Sequence, residues 1–425
     1  MRAGAGRFLF AGPFRSLPGG APGSILPIRH MPRWLLPESI ADVLPSEARR
    51  IEELRRSLLD LYRRYGYELV MPPLVEYLSS LLTGAGATLE TRTAQLVDQL
   101  SGRRLGVRAD MTPQVARIDA HLLGRRGPSR LCYAGPVLHA RAADQLASRV
   151  PYQVGAELYG HADLEAELEI LELMLASLRA AGLTRLRVDL CHAGIVRSLL
   201  DRAPQLDAAA VYRMMVQKDV GSLREILVGT DPAIAQALLE LPSLYGAVNG
   251  TVSVIDRATR VLPDIDGIGR ALDDLRRLAS SPLWQRLEGV ELAVDLADLA
   301  GYHYYSGISF AAYSLDTPDL VAASAAIARG GRYDGVGEAF GRARPATGFS
   351  LELRSLAELS PAAPASPAIR APWADEASLR DAIAALRAQG EVVIETLPGH
   401  EHEEQEFACD RELVRQDGRW TVRSC

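Results

Sequence analysis

A chain of 425 residues has room for two or three domains, and 48% hydrophobic with 24% charged residues excludes a disordered or fibrous protein. The formal net charge of −6 argues against nucleic-acid binding spread over the whole surface, although a local basic patch stays open. Lys218 is the single lysine, which removes Walker-type phosphate loops and disfavours lysine-based covalent catalysis.

Residues 1–33 carry Arg2, Arg7, Arg15, Arg29 and Arg33, no acidic residue, and many Gly, Pro and Ala. That composition suits a disordered extension or a start assigned upstream of the true one at Met31; a transit or weak signal peptide is the other reading. The globular pattern begins at Leu35. Ser46 is placed to cap a helix whose apolar positions Ile51, Leu54, Leu58, Leu61 and Tyr62 keep helical spacing, with Gly66 at its end. Tyr67 to Met71 reads as a strand stopped by Pro72-Pro73, which places it at an edge or an interface. Residues 91–108 suggest a hairpin about Ser101-Gly102. Arg130 to Tyr133 and Tyr152 to Leu158 read as strands separated by the charged loop from His139 to Arg149.

Asp163 to Ala181 has the pattern of a strong helix, acidic at its start and closed by Gly182. Leu186, Val188 and Leu190 alternate as a strand. Residues 195–290 are mostly helical in pattern and show no obvious chemistry. Strand alternation returns from Leu292 to Leu296, followed by the tyrosine-rich segment Gly301 to Phe310, in which the tyrosines fall where a strand meets a turn, and the turn Gly330 to Gly335. Ser360 to Pro367 is a Pro/Ala/Ser linker, and one helix (Glu376 to Ala388) and two or three short strands follow it. The expected domains are therefore a core at 34–360 with a helical insertion at about 195–290, and a small C-terminal α/β domain at 368–425. Because helices and strands do not alternate βαβ, the fold class is α+β, a mostly antiparallel sheet flanked by helices.

Cys132, Cys191, Cys409 and Cys425 are scattered without CxxC spacing, so no disulfide framework is expected and the reducing cytoplasm is the default location. No uninterrupted apolar run is long enough to cross a membrane.

Four segments can carry chemistry. Asp110 and Thr112 lie two residues apart and face one side if the chain is extended there, where a carboxylate and a hydroxyl would suit an ammonium group; the alternative is an ordinary cap before a helix. Gln153 and Glu157 project from one face of a strand, while Val154 and Ala156 face the other. Burying such polar groups costs free energy unless they are hydrogen-bonded or meet a polar ligand. Tyr304 and Tyr305 are either core rings or pocket walls. Gly330-Gly331 is either a tight turn or a pocket floor. His400 and His402 could chelate from a strand, but no second cluster matches them. A solvated loop is the better reading, and neither a metal nor a cofactor is expected.

The order and spacing of these segments resemble the class II aminoacyl-tRNA synthetase core, specifically the histidyl enzyme, over roughly residues 38–357. Pro72-Pro73 resembles motif 1. Asp110 and Thr112 fall where that family binds the substrate amino group, and Gln153 with Glu157 matches its Gln-x-Gly-x-Glu. Tyr304-Tyr305 and Gly330 to Gly335 match its second histidine motif and the glycine segment after it. The cations differ. His139 stands where motif 2 has an arginine, Arg141 where a loop glutamate holds adenine, Ala300 at the histidine-motif arginine, and Ser355 beside Arg354 at the motif 3 arginine. Adenylation needs fixed cations on the α-phosphate, and each one lost removes a few kcal/mol of transition-state stabilisation.

The chain also resembles the regulatory subunit of ATP phosphoribosyltransferase, the group that keeps the histidine pocket without the catalysis. Trp34 to Glu38, Leu96 to Gly102, Asp119 to Leu123, Gly155 to Gly160 and Tyr302 to Tyr305 carry that resemblance. Ala140 to Ala143 replaces its usual Thr-Arg-Pro run. The resemblance implies a non-catalytic protein that binds free histidine through Asp110, Thr112, Gln153, Glu157, Tyr304 and Tyr305. It implies a short-form catalytic subunit as partner, a homodimer within a hetero-oligomer, no membrane and no tRNA. It also implies a requirement for this subunit in the first step of histidine biosynthesis and feedback inhibition by histidine. Two alternatives remain: an active histidyl-tRNA synthetase-like ligase, and a paralogue that no longer binds histidine.

Overall fold

The computed structural model describes residues 34–425 except 85, 143–146, 249–252, 300, 302–303, 317–324, 362–366 and 401–406. Residues 39–425 form one contact unit, to which the described residues 34–38 do not belong. The expectation for residues 1–33, Ala300, most of the linker before Pro367 and His402 all lie outside the described residues.

The first helix, α1 (Pro45–Arg64), begins one residue before the expected cap. Pro45 occupies its first turn, where the missing N–H has no partner to lose, so Ser46 lies inside the helix. Then come β1 (Glu68–Leu69), β2 (Val75–Tyr77), α2 (Leu78–Leu81), α3 (Gly86–Arg92), β3 (Ala94–Val97), β4 (Arg104–Val107) and α4 (Thr112–Arg117). The strand expected at Tyr67 to Met71 shortens to two residues, since Pro72-Pro73 cannot continue a ladder. The hairpin about Ser101-Gly102 forms as β3 against β4.

Next are β5 (Ser129–Pro136), β6 (Tyr152–Tyr159), α5 (Glu165–Ala180) and β7 (Leu186–His192). The insertion supplies α6 (Ala193–Leu200), α7 (Ala208–Gln217), α8 (Val220–Ile226), α9 (Pro232–Glu240), β8 (Tyr245–Ala247), α10 (Val254–Val261) and α11 (Asp266–Ala279). Asp207, Asp219, Asp231 and Ser253 cap α7, α8, α9 and α10 through their side chains, which explains why this stretch breaks into short helices. The chain returns through β9 (Val290–Asp295), β10 (Ile308–Ser314), β11 (Ala328–Arg332), β12 (Ala346–Glu352) and α12 (Leu353–Leu359).

Among the described residues the main sheet has nine strands in the order β1-β5-β6-β12-β11-β10-β7-β9-β8. Only β1–β5 and β7–β9 pair in parallel, so the sheet is mostly antiparallel as expected, and β1 is an edge strand. The insertion is not purely helical, because β8 extends the other edge. The alternation of β6 separates two cores. Val154, Ala156 and Leu158 join the large cluster under α1, α5 and the insertion. Tyr159 joins a smaller cluster with Met111, Val115, Tyr133 and Tyr333. Glu157 shares the parity of Tyr159, so it is buried on that second face.

Two buried arginine–carboxylate forks tie elements together. Arg332 of β11 meets Glu167 of α5 at 2.5 and 2.7 Å, and Arg344 meets Asp119 at 2.9 Å to both oxygens. The C-terminal segment forms a separate four-stranded sheet, β14 (Val393–Thr396), β13 (Pro367–Pro372), β15 (Ala408–Gln416) and β16 (Arg419–Ser424) in spatial order, with α13 (Ala377–Ala388) packed on it. It holds four strands where two or three were expected, because β15 and the exposed edge strand β16 lack a clear apolar alternation.

Candidate functional site

A cavity of about 620 Å³ opens on the second face of the sheet. Its floor is built from β6 and β12, where Glu157 and Gly348 are register partners. A β-carbon at Gly348 would stand 1.6 Å from Glu157 Oε2, so glycine is required for the carboxylate to lie flat across the strand. Gly155 plays the same part for Tyr133, whose hydroxyl would be 2.4 Å from a β-carbon there.

Glu157 is almost fully buried and accepts two tyrosine hydroxyls: Tyr133 donates to Oε1 at 3.0 Å and Tyr333 to Oε2 at 2.5 Å. Since the Tyr133 proton goes to Glu157, the Thr112 hydroxyl at 3.2 Å donates to the Tyr133 oxygen. Burial pushes the Glu157 carboxyl up to about 8, against the pull of Tyr333 and Tyr133. A carboxyl poised there can hold or give up a proton near neutrality.

Asp110 lies just before α4 and not in an extended strand, because Thr112 opens the helix. Its Oδ1 accepts from the Thr112 N–H at 3.0 Å and from Gln153 Nε2 at 2.9 Å. Asp110 thus holds the first helical N–H and also lines the cavity beside Thr112. Gln153 does not line it. Gln153 Oε1 takes the Met111 N–H at 2.9 Å, so this side chain braces Asp110 from behind. Arg108 fixes the same segment by donating to the carbonyls of Pro72 at 2.7 Å and Pro136 at 2.9 Å.

Tyr304 and Tyr305 sit in the turn ahead of β10, not in a strand, because Tyr304 N–H bonds back to the Gly301 carbonyl at 2.9 Å. Arg197 of α6 clamps the turn through the Tyr305 carbonyl at 2.8 Å, and Ser306 N–H reaches the Arg332 carbonyl at 2.7 Å. Tyr304 stacks on Tyr333 with centroids 4.7 Å apart at 33°, and on Tyr305 edge-on at 5.8 Å. The Tyr304 hydroxyl is buried with no hydrogen-bond partner among the described residues. Such an orphan in a cavity wall is an offer to a ligand.

The remaining wall comes from segments without a local sequence signal. Tyr212 and Arg213 of α7 line the cavity, so the insertion, which shows no chemistry in its pattern, contributes to the site. Arg329, Tyr333 and Arg92 also line it. Of the positions where the synthetase pattern has cations, His139 lies 2.8 Å from Arg92 Nη2, and burial together with Arg92 lowers its basicity. Arg354 sits 2.6 Å from Glu47 on α1, and neither it nor Ser355 lines the cavity.

Sheet, cavity and tyrosine turn together define a class II synthetase-type fold of the histidyl kind, and the profile described as histidyl-tRNA synthetase matches residues 39–356. A second profile, the ATP phosphoribosyltransferase subunit HisZ C-terminal domain, matches residues 366–423. The ATP phosphoribosyltransferase regulatory subunit of Cupriavidus necator is 60% identical over 391 residues, covering 92% of this chain and 98% of that one. The protein of the same name from Ralstonia pickettii is 58% identical over 394 residues, covering 92% and 97%. The chain belongs to the ATP phosphoribosyltransferase regulatory subunit family. A crystal structure titled ATP phosphoribosyltransferase regulatory subunit/histidyl-tRNA synthetase, from Bacillus halodurans, superposes with a TM-score of 0.71 at 25% identity, covering 85% of this chain and 92% of that one. Histidyl-tRNA synthetase from Nostoc sp. PCC 7120 shares the fold, with a TM-score of 0.69 at 17% identity over 93% of this chain and 97% of that one.

Proposed function

We propose that this chain binds free histidine in the cavity and, as a non-catalytic regulatory subunit, joins a short-form ATP phosphoribosyltransferase catalytic subunit whose activity histidine then restrains. The observation that carries this reading is Glu157, a buried carboxyl shared by two tyrosine hydroxyls and poised at about 8. A free imidazole titrates near 6.5, so the pair can share a proton at neutral pH. Asp110 and Thr112 are placed for the α-ammonium group, and the Tyr304 hydroxyl supplies a further bond. Gln153 acts through Asp110. Tyr305 closes the ring pocket.

The same reading includes a homodimer within a hetero-oligomer, no tRNA ligand and a cytoplasmic location. No helix among the described residues is long and apolar enough to cross a membrane. Feedback follows only if histidine binds the inhibited arrangement more tightly than the active one. The test is co-purification with the catalytic subunit, followed by assay with and without histidine. Complex formation with histidine-sensitive activity supports the proposal. Histidine-dependent ATP–pyrophosphate exchange by the chain alone would instead support a ligase, and an absent thermal shift at millimolar histidine would support a paralogue that has lost the ligand.

A further inference from the structure

Three arginines line the cavity, and they differ in what already occupies them. Arg329 Nη1 lies 3.2 and 3.3 Å from the two Asp298 oxygens, so its charge is neutralised from behind. Arg92 lies 2.8 Å from the His139 ring. Arg213, on the insertion helix α7, forms no ion pair or hydrogen bond among the described residues. The Asp110 and Glu157 carboxyls come from the sheet side, whereas Arg213 comes from the insertion.

We infer that Arg213 receives the carboxylate of the amino-acid ligand, so that the ligand bridges the sheet and the helical insertion. This rests on the histidine reading and adds the residue that sets specificity for the α-carboxylate. A guanidinium fork matches a carboxylate in two parallel bonds, and an unpaired one lacks an internal competitor for that role. The consequence is mechanical. Asp110 holds the ammonium on the fixed loop before α4, and Arg213 holds the carboxylate on α7, so occupancy is communicated to the insertion rather than to the sheet alone. A ligand lacking either group cannot make that bridge.

The experiment uses titration calorimetry on the full chain, with the catalytic subunit present if binding requires it. The probes are L-histidine and histidinol, in which an alcohol replaces the carboxylate. The wild type is expected to prefer histidine by about 10- to 100-fold, the value of a charge-assisted pair. Arg213→Ala should lose that preference by weakening histidine while leaving histidinol within about twofold, and Arg213→Lys should restore part of it. Glu157→Gln serves as the contrast, because it faces groups that both probes share and should weaken both. Unchanged histidine affinity in Arg213→Ala, or equal losses for both probes, would overturn the inference while the histidine reading stands. A wild type that binds neither probe overturns both.

Discussion

Gly348 and Glu157 face each other as register partners on adjacent strands, and the carboxylate occupies the space a β-carbon would take, 1.6 Å from Oε2. The acidic group at the bottom of the cavity therefore depends on a missing side chain on the neighbouring strand, six strands later in sequence. Gly348→Ala should displace Glu157 from both tyrosine hydroxyls. Overpacking of this kind costs roughly 1–3 kcal/mol. Thermal denaturation should show that loss, and calorimetry should show histidine binding abolished.

Glu157 also makes stability depend on pH. Its folded-state carboxyl is raised to about 8 from an ordinary value of 4.5, so the folded chain holds this proton more tightly than the unfolded chain. The resulting contribution is fully present below pH 4.5 and is lost as pH rises towards 8. The maximal slope is about 1.4 kcal/mol per pH unit for one proton. Urea unfolding between pH 5 and pH 9 should show wild-type stability falling across that window. Glu157→Gln, which keeps the shape but cannot ionise, should flatten the curve.

Tyr304 offers a way to separate folding from recognition. Its hydroxyl is buried without a partner in the unliganded chain, so Tyr304→Phe removes an unsatisfied group. Stability without ligand should stay level or rise by about 1 kcal/mol. Histidine affinity should fall by roughly tenfold if the hydroxyl bonds the ligand. A stability loss with unchanged affinity would assign the hydroxyl to the fold instead.

The fork between Arg332 and Glu167 makes the opposite prediction. Arg332→Met would leave the Glu167 carboxyl fully buried and unpaired. Breaking one side of such a pair typically costs about 3–5 kcal/mol. Denaturant titration at neutral pH should report that loss, and replacing Glu167 by Gln in the same chain should recover part of it.

Periodicity made the long helices and the inner strands legible, because α1 and α5 each bury a regular face and β6 alternates between two cores. The parity of Gln153 and Glu157 placed them on the face opposite Val154 and Ala156 correctly. Spacing alone does not show that Gln153 would be spent on Asp110, since its bonds run to residues about forty positions earlier. Tyr133 could have been found by the same parity rule, two strand steps from Leu131 on the cavity face. Tyr333 lay within a glycine turn that drew attention to its backbone. Arg213 and Tyr212 carried no signal, because α7 reads as an ordinary amphipathic helix and only the tertiary fold brings it over the sheet. The tyrosines fall at the junction of turn and strand, as their neighbouring glycines suggest, just ahead of β10.

The most direct measurement is histidine inhibition of the reconstituted ATP phosphoribosyltransferase complex, comparing wild-type subunit with Glu157→Gln. Both subunits should activate the catalytic partner comparably, while the substituted complex should need at least about tenfold more histidine for half-inhibition. Identical histidine sensitivity in the two complexes would contradict the histidine reading.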